Sequence, residues 1–366
     1  MAVTPGPAPD LRVQVRSALG ELSADWDRIA DGSAHPSPFC RSWWVDHAAG
    51  GVPAVVCCLA GDRLLGGAAF ELDALGRSML RIERVRMLGQ GVLAPDHLDV
   101  VAGPDDAERV TAAVVGWLRR PGSRLVDLDG LAATGHLGRA LAAHTIDRVA
   151  APFADLRGDG GDGTYLAGRP GRVRSTVDRT RKRLDRAGCT VTSVPTERIE
   201  AALDDLERLH DGRWGAESSF LEAWDRCSAA VRGAGPDDLR ITEVRSADGE
   251  VVAIELDLLT PASVCFYQAG RSTEREWRGA GSVLRARIVT DALAEGRDEY
   301  DLLRGDESYK DEWATGRRWV VRVRFGSGPV GRVAAGSARL WRQIAPTAQR
   351  LGDRLRRSTS RAEPPG

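Results

Sequence analysis

SVCFYQAGRSTEREWRGAGSVLRARIVTDALAEGRDEYDLLRGD, residues 263–306, is the stretch on which the fold turns. Ser263–Gln268 reads as a strand and a loop follows to Trp277. Arg278-Gly279-Ala280-Gly281-Ser282 then opens an amphipathic helix that runs through Ser282–Ala294. Glu299–Leu303 is a second buried strand running into the turn at Gly305. Glycines at a helix start let backbone N–H groups approach a pyrophosphate, and the helix dipole favours negative charge there. Arg278 adds a cationic fork. Arg278, Gly279, Ala280, Gly281 and Ser282 are therefore candidates to hold a phosphate-bearing ligand, with a plain loop-to-helix turn as the simpler alternative.

Working outward, the same plan occurs twice. Leu239–Val244 and Glu250–Leu258 form a hairpin around Asp248-Gly249, as Ala54–Leu59 and Leu64–Leu72 do around Gly61-Asp62. Helical sequence with Phe-x-x-x-Trp precedes each hairpin, Phe39 with Trp43 and Phe220 with Trp224. Met79–Met87, His97–Val101, the Asp105–Arg119 helix and Arg124–Asp129 follow the first hairpin. After the second come the residues quoted above and the strand Trp319–Phe325. Alternating strands and helices with hairpins predict an α/β (α+β, mixed-sheet) protein of three layers, built from two related halves. The halves are expected at 10–160 and 165–330, joined near Gly158–Gly163. A basic amphipathic helix is expected over 331–357 and a disordered tail over 358–366. The helix starting near Gly103-Pro104-Asp105-Asp106 carries acids that would repel phosphate, so only the second half suits such a ligand.

The chain has 366 residues, 42% hydrophobic and 28% charged, as expected of a soluble globular protein with about two domains. No charge-free stretch is longer than His47–Gly61, too short for a membrane span. Met1–Asp10 has neither the basic nor the apolar region of a signal peptide. Six cysteines without metal-type spacing predict reduced thiols in a cytoplasmic protein, and no metal site is expected. Net charge is −1, which argues against nucleic acid as a general partner. Two segments depart from neutrality: 166–187 and 331–366 each hold eight basic and two acidic residues. The first, with Arg181 and Lys182 at its centre, is a candidate docking helix for an acidic acceptor such as a nucleotide-sugar, a lipid-linked sugar or a polyanionic glycan, with a solvated helix face as the alternative. The second is a candidate for peripheral contact with an anionic membrane surface at the inner face, with packing across the two domains as the equally simple alternative. Of 51 basic residues only Lys182 and Lys310 are lysines.

Glu255 and Asp257 alternate with Ile254, Leu256 and Leu258, so they share one face of a strand and are candidate general bases. A solvated sheet face is the alternative. His210, Arg213 and Trp214 end an apolar-periodic helix and are candidates for substrate binding, with core packing the commoner fate of such a histidine. No Ser-His-Asp or Cys-His motif supports covalent catalysis.

Several short motifs in a specific order carry a family resemblance. They are Pro38-Phe39 with Trp43, Arg179-Thr-Arg-Lys-Arg-Leu184 with Gly188, Leu209-His210-x-x-Arg213-Trp214, and Tyr267-x-x-Gly270 before the glycine loop. Asp301-Leu-Leu-x-Gly305 with Tyr309-Lys310 and Trp313 closes the series. In these the chain resembles the GNAT-type acyltransferases named for bacterial cellulose-biosynthesis proteins (CelD/BcsL-like, with a BioF-like acetyltransferase domain). It is more distantly similar to the Fem peptidoglycan aminoacyltransferases. The resemblance implies a tandem GNAT-like fold and acyl transfer from acetyl-CoA or another acyl-CoA, as substrate, to an amine or hydroxyl of a sugar, polysaccharide or cell-envelope precursor. It implies pantetheine between the splayed strands Ser263–Gln268 and Glu299–Leu303, with Tyr267 beside it. It implies Tyr309 as the acid that protonates the thiolate, with Asp306 as another candidate base and Lys310 in the same motif. The usual loop has Gln or Arg three positions before its first glycine; this chain has Glu276, with Arg278 as the replacement charge. A Fem-like transfer from aminoacyl-tRNA and a non-catalytic scaffold in polysaccharide assembly are the other readings.

Overall fold

The computed structural model describes residues 11–76, 81–157, 164–215, 218, 220–329 and 331–336. In chain order the first half runs β1 (Leu11–Arg16), α1 (Ser23–Asp31), α2 (Ser42–His47), β2 (Val52–Ala60), β3 (Arg63–Leu75) and β4 (Ile82–Met87). It continues with β5 (Val101–Ala102), α3 (Ala107–Leu118), β6 (Arg124–Ala132), α4 (His136–Ala140) and β7 (Thr145–Asp155). Two helices follow, α5 (Thr164–Ala167) and the basic α6 (Gly171–Arg186). The second half then repeats the order: β8 (Thr190–Ser193), α7 (Ile199–Trp214), α8 (Trp224–Gly233), β9 (Leu239–Arg245), β10 (Val251–Leu259) and β11 (Ser263–Arg271). It ends with α9 (Ala280–Ala294), β12 (Glu299–Asp301), α10 (Ser308–Trp313) and β13 (Gly316–Ser327). Apart from the two-residue β5, the order strand, two helices, three strands, helix, strand, helix, strand recurs in each half. The fold is a tandem GNAT-like α/β architecture.

Local chemistry accounts for the repeat. Both hairpins turn on a glycine in the left-handed region, Gly61 at φ +61° and Gly249 at φ +87°, a conformation that costs other residues a Cβ clash. Both Phe-x-x-x-Trp segments form a single 3-10 turn, Pro38–Cys40 and Leu221–Ala223, leading into α2 and α8. These two helices pack on each other, and Arg226 of α8 donates to the carbonyl of Ala48 at 3.3 Å.

All described strands except the two-residue β5 lie in one sheet path of order β1-β2-β3-β4-β6-β13-β7-β12-β11-β10-β9-β8. The halves exchange their last strands: β13 pairs with β6, β7 pairs with β12, and β7 and β13 pair with each other at the centre. One large core takes in α1–α4 of the first half with α7 and α8 of the second. A second, under α6, α9 and α10, covers the other face of the second half.

His97–Val101 differs from the expected strand. Leu98 makes an isolated bridge to Leu131 and regular pairing begins only at Val101. The segment is pinned instead by Asp96, which accepts the Arg304 backbone N–H at 2.6 Å and the Arg304 guanidinium, and by His97, whose Nε2 lies 3.0 Å from Asp301. Arg318 reaches the same Asp301 oxygen at 2.8 Å. Against burial, Asp301 raises the His97 imidazole above its ordinary value; against burial, His97 and Arg318 hold Asp301 down to about 2. The histidine therefore adds stability that is full below 6.5 and lost as pH rises through its folded value. The carboxylate adds stability that is present above 3.8 and lost as pH falls through about 2. The melting-temperature difference between wild type and His97→Gln is expected to be largest between pH 3.8 and 6.5 and to shrink towards alkaline pH. A difference that does not vary with pH would contradict the pairing.

Candidate functional site

The sheet's parallel ladders, among the described residues, are β4–β6 and β11–β12, at equivalent places in the two halves. The β11–β12 ladder stops after Cys265↔Asp301. Asp301 then accepts the Leu303 N–H at 2.8 Å, and Leu303 turns through φ +55°, so the chain leaves β11 at an angle. A cleft of about 720 Å³ opens there between Phe266–Arg271 and Leu302–Arg304. In the first half the same gap is filled. Gln90 Oε1 accepts from Met87 N at 3.1 Å and Asp129 N at 3.0 Å, and Leu98 bridges to the β6 backbone. The first half has a separate cavity of about 510 Å³ beside α1 and α4.

One wall of the second-half cleft is the start of α9. Gly279 caps it at φ +91°, and a Cβ there would stand 2.7 Å from Thr180 Oγ1 of α6. Gly279, Gly281 and Ser282 line the cleft, and a Cβ on Gly281 would meet nothing within 4 Å. The first turn of α9 holds no acid, and the first N–H groups of any helix lack intrahelical acceptors. Ala280 is buried behind this surface. Arg278 is exposed outside the cleft lining, where its carbonyl accepts from Arg183. Glu276 is also exposed and outside the lining. Helix α6 faces α9 through Val173, Val177, Thr180 and Leu184, which leaves Arg181 and Lys182 on its solvent side, away from the cleft.

The floor of the cleft is polar and almost closed to water. Glu255, 1% exposed, accepts from the Tyr300 hydroxyl at 2.5 Å and faces Arg285 Nη2 at 3.4 Å; Arg285 Nε in turn donates to the Tyr300 oxygen at 3.2 Å. Burial lifts the Glu255 carboxyl above the ordinary range, opposed by Arg285 and Tyr300. Asp257 shares that strand face but lies outside the cleft lining, fully buried, with neither oxygen hydrogen-bonded. Burial, and then the Glu255 charge, push it well above its usual value. Tyr309 is half-buried with its ring 4.8 Å from the Arg285 guanidinium, and burial pushes its hydroxyl up to about 12. It is a proton donor at neutral pH. Lys310 is buried, and its Nζ donates to the Arg304 carbonyl at 2.6 Å and pairs with Glu307 at 3.1 Å. Asp306 is exposed and does not reach the cleft.

The opposite wall comes from α7 and the first half. A Cβ on Gly270 would stand 2.7 Å from Leu209 Cβ, so this glycine lets α7 lie close on β11. His210 is thereby brought to the cleft, its ring 5.1 Å from Phe220; burial lowers its pKa and keeps it neutral. Arg213 is on the rim with Arg271. The Trp214 side chain lies outside the described residues. Tyr267 lines the cleft but is built into the seam between halves: its hydroxyl donates to the Leu93 carbonyl at 3.1 Å and its ring meets Phe39 and Trp44 edge-on. The basic stretch beyond residue 336 also lies outside the described residues.

Arg285 and Tyr300 are central to the cleft floor, and no sequence motif marks them as site residues. The available signal was an arginine inside Ser282-Val-Leu-Arg-Ala-Arg-Ile-Val289, where the apolar positions are buried and a charge must therefore find partners. Among the described residues no group of three or more His, Cys, Asp and Glu stands ready to hold a metal, and no helix is long and apolar enough to cross a membrane.

Residues 171–311 match the profile of the family described as Acetyltransferase (GNAT) domain. No curated protein matches the chain. Among solved structures, FemX is 10% identical, covering 82% of this chain and 95% of its own, with a TM-score of 0.58. The C-terminal DUF2156 domain of a putative lysylphosphatidylglycerol synthetase from Agrobacterium fabrum is 15% identical over 88% of this chain and 96% of its own, TM-score 0.50. A conserved protein of unknown function from Bacteroides thetaiotaomicron VPI-5482 is 10% identical, covering 85% of this chain and all 100% of its own, TM-score 0.51. At such identities the likeness is one of fold.

Proposed function

Because the chain carries a GNAT acetyltransferase domain and is a transferase of acyl groups, we propose that it moves an acyl group, acetyl in the simplest case, from acyl-CoA to an amine or hydroxyl by direct attack in a ternary complex. The observation that carries this reading is the contrast between the halves. The second-half cleft opens beside an acid-free helix start with room at Gly281, whereas Gln90 fills the equivalent gap in the first half. The diphosphate of CoA fits the N–H groups of Gly279, Ala280 and Gly281, since that of Ser282 is donated to the Gly279 carbonyl at 2.9 Å, and the pantetheine fits between β11 and Leu302–Arg304. Glu255, lifted towards neutrality by burial, takes the proton of the attacking group. Tyr309, protonated at pH 7, supplies one to the leaving thiolate.

The acceptor in this proposal is a sugar, polysaccharide or cell-envelope precursor, in line with the cellulose-biosynthesis branch that the motifs resemble. It would approach past His210 and Arg213, and Arg213 with Arg271 on the rim would attract an anionic one. A second reading, transfer from aminoacyl-tRNA, has the fold likeness to FemX in its favour. The acidic body outside the two basic segments weighs against it. A transfer assay on an envelope-precursor fraction, with labelled acetyl-CoA in one arm and charged tRNA in the other, tests the choice. Label is expected to move only from acetyl-CoA; transfer only from charged tRNA would replace the first reading with the second.

A further inference from the structure

We infer that Arg285 is a catalytic residue that nothing in the motif pattern marks: its guanidinium receives the negative charge developing on the acyl oxygen as the acceptor attacks. This inference rests on the acyl-CoA reading above. Arg285 is the sixth residue of α9, a helix buried on most of its surface, and is itself only 8% exposed. Its charge is held in a box of three rings, with centroids at 4.9 Å for Phe266, 4.8 Å for Tyr309 and 5.7 Å for Trp313. Phe266 directly follows Cys265, the last β11 residue paired with β12, and Tyr300 lies on β12 itself. The guanidinium thus sits at the crotch where the two strands part and lines the cleft.

Its hydrogen-bonding capacity is only partly used. Nε donates to Tyr300 at 3.2 Å, and Nη2 approaches Glu255 at 3.4 Å, longer than the ~2.7–2.9 Å of a close charge-assisted bond. Nη1 has no hydrogen-bond partner among the described residues and is not among the enclosed unpaired atoms. A buried ion pair contributes little to stability on balance, so stability alone gives no reason to place this charge here. A planar, always-charged fork clamped by aromatic rings at the point of bond-making is pre-organised for a developing oxyanion.

In the step, the acceptor's nitrogen or oxygen bonds to the acyl carbon and the C=O electron pair moves to oxygen, facing Arg285. On collapse the C–S bond breaks and sulfur leaves with its electron pair, taking a proton from Tyr309. The acceptor's proton passes to Glu255, and exchange with solvent restores both groups.

Acetyl-CoA with water as acceptor probes this directly through release of free thiol, beside calorimetric binding of CoA. Arg285→Gln is expected to lower the thiol-release kcat by about 10² while the Kd for CoA stays within about two-fold. A kcat within about three-fold of wild type would overturn the inference. Should Arg285→Gln not fold, the Glu255→Gln, Arg285→Gln pair leaves no buried charge unpaired. Its kcat is expected to be at least about ten-fold below that of Glu255→Gln alone, and equality would overturn the inference. If wild type binds CoA but its rate does not depend on Arg285, this inference alone falls. If wild type neither binds CoA nor releases thiol, the acyl-CoA reading falls and takes the inference with it.

Discussion

Glutamine in place of Glu255 is expected to slow acyl transfer by about 10³, because general-base catalysis contributes roughly 10²–10⁴ and glutamine cannot accept the proton. The substitution is close to isosteric, and the amide oxygen can still accept from the Tyr300 hydroxyl that now lies 2.5 Å from the carboxylate. Donor binding should change little, since the helix start that would hold the diphosphate is formed by Gly279–Ser282 and not by β10. The diagnostic reading is therefore a fall in kcat with an unchanged KM for acetyl-CoA. Loss of the alkaline-rising limb of the pH–rate profile should accompany it, because a raised carboxyl must be deprotonated to act. An unaltered kcat would move the base to another group.

Arginine in place of Lys310 should cost nearly as much, about 10² in kcat/KM, although the two side chains carry the same charge. Lys310 is 4% exposed and its Nζ fits against the Arg304 carbonyl at 2.6 Å and Glu307 at 3.1 Å. The space is so closely used that a Cβ on Gly305, itself at φ +143°, would stand 2.6 Å from that nitrogen. A guanidinium is bulkier and planar and cannot repeat the contact. Arg304 would then shift, and Arg304 is the residue that ties the cleft wall to Asp96, Asp129 and the Pro95 carbonyl of the first half. Displacement of a reacting geometry by about 1 Å can cost about 10² in rate. Lys310 is accordingly a positioning residue, and the loss should appear without a matching fall in the melting temperature of Lys310→Arg, while Lys182→Arg, the exposed control, should change neither. Near-wild-type turnover of Lys310→Arg would refute this role.

Much of the architecture was legible where backbone chemistry is local. Gly61 and Gly249 mark their hairpins because a left-handed turn needs glycine, and residues 263–301 announce strand, glycine-capped helix and strand through composition alone. The strand exchange at the centre was not legible. β7 holds Pro152 in mid-strand, which reads as a break, yet it lies between β12 and β13 because its neighbours' carbonyls and N–H groups are satisfied around the proline. Pairings between residues about 150 positions apart leave no periodic trace. The site divides in the same way. Glu255 and Asp257 look equivalent on a strand face; only the packing of α9 shows that one reaches the cleft and the other is sealed. Arg285 was hidden among α9's arginines because exposure, not spacing, distinguishes it from Arg287.

Gly281→Asp tests the central claim, that the start of α9 receives the diphosphate of an acyl-CoA. The position is open, so an aspartate fits, and a carboxylate in the first turn of a helix is itself mildly stabilising. The variant should therefore melt no lower than wild type when unliganded. The measurement is the melting temperature of both proteins with and without millimolar acetyl-CoA. Wild type is expected to gain several degrees, as binding to the folded state requires, and the variant to gain none. An absent shift in wild type, or an equal shift in both proteins, would contradict the account.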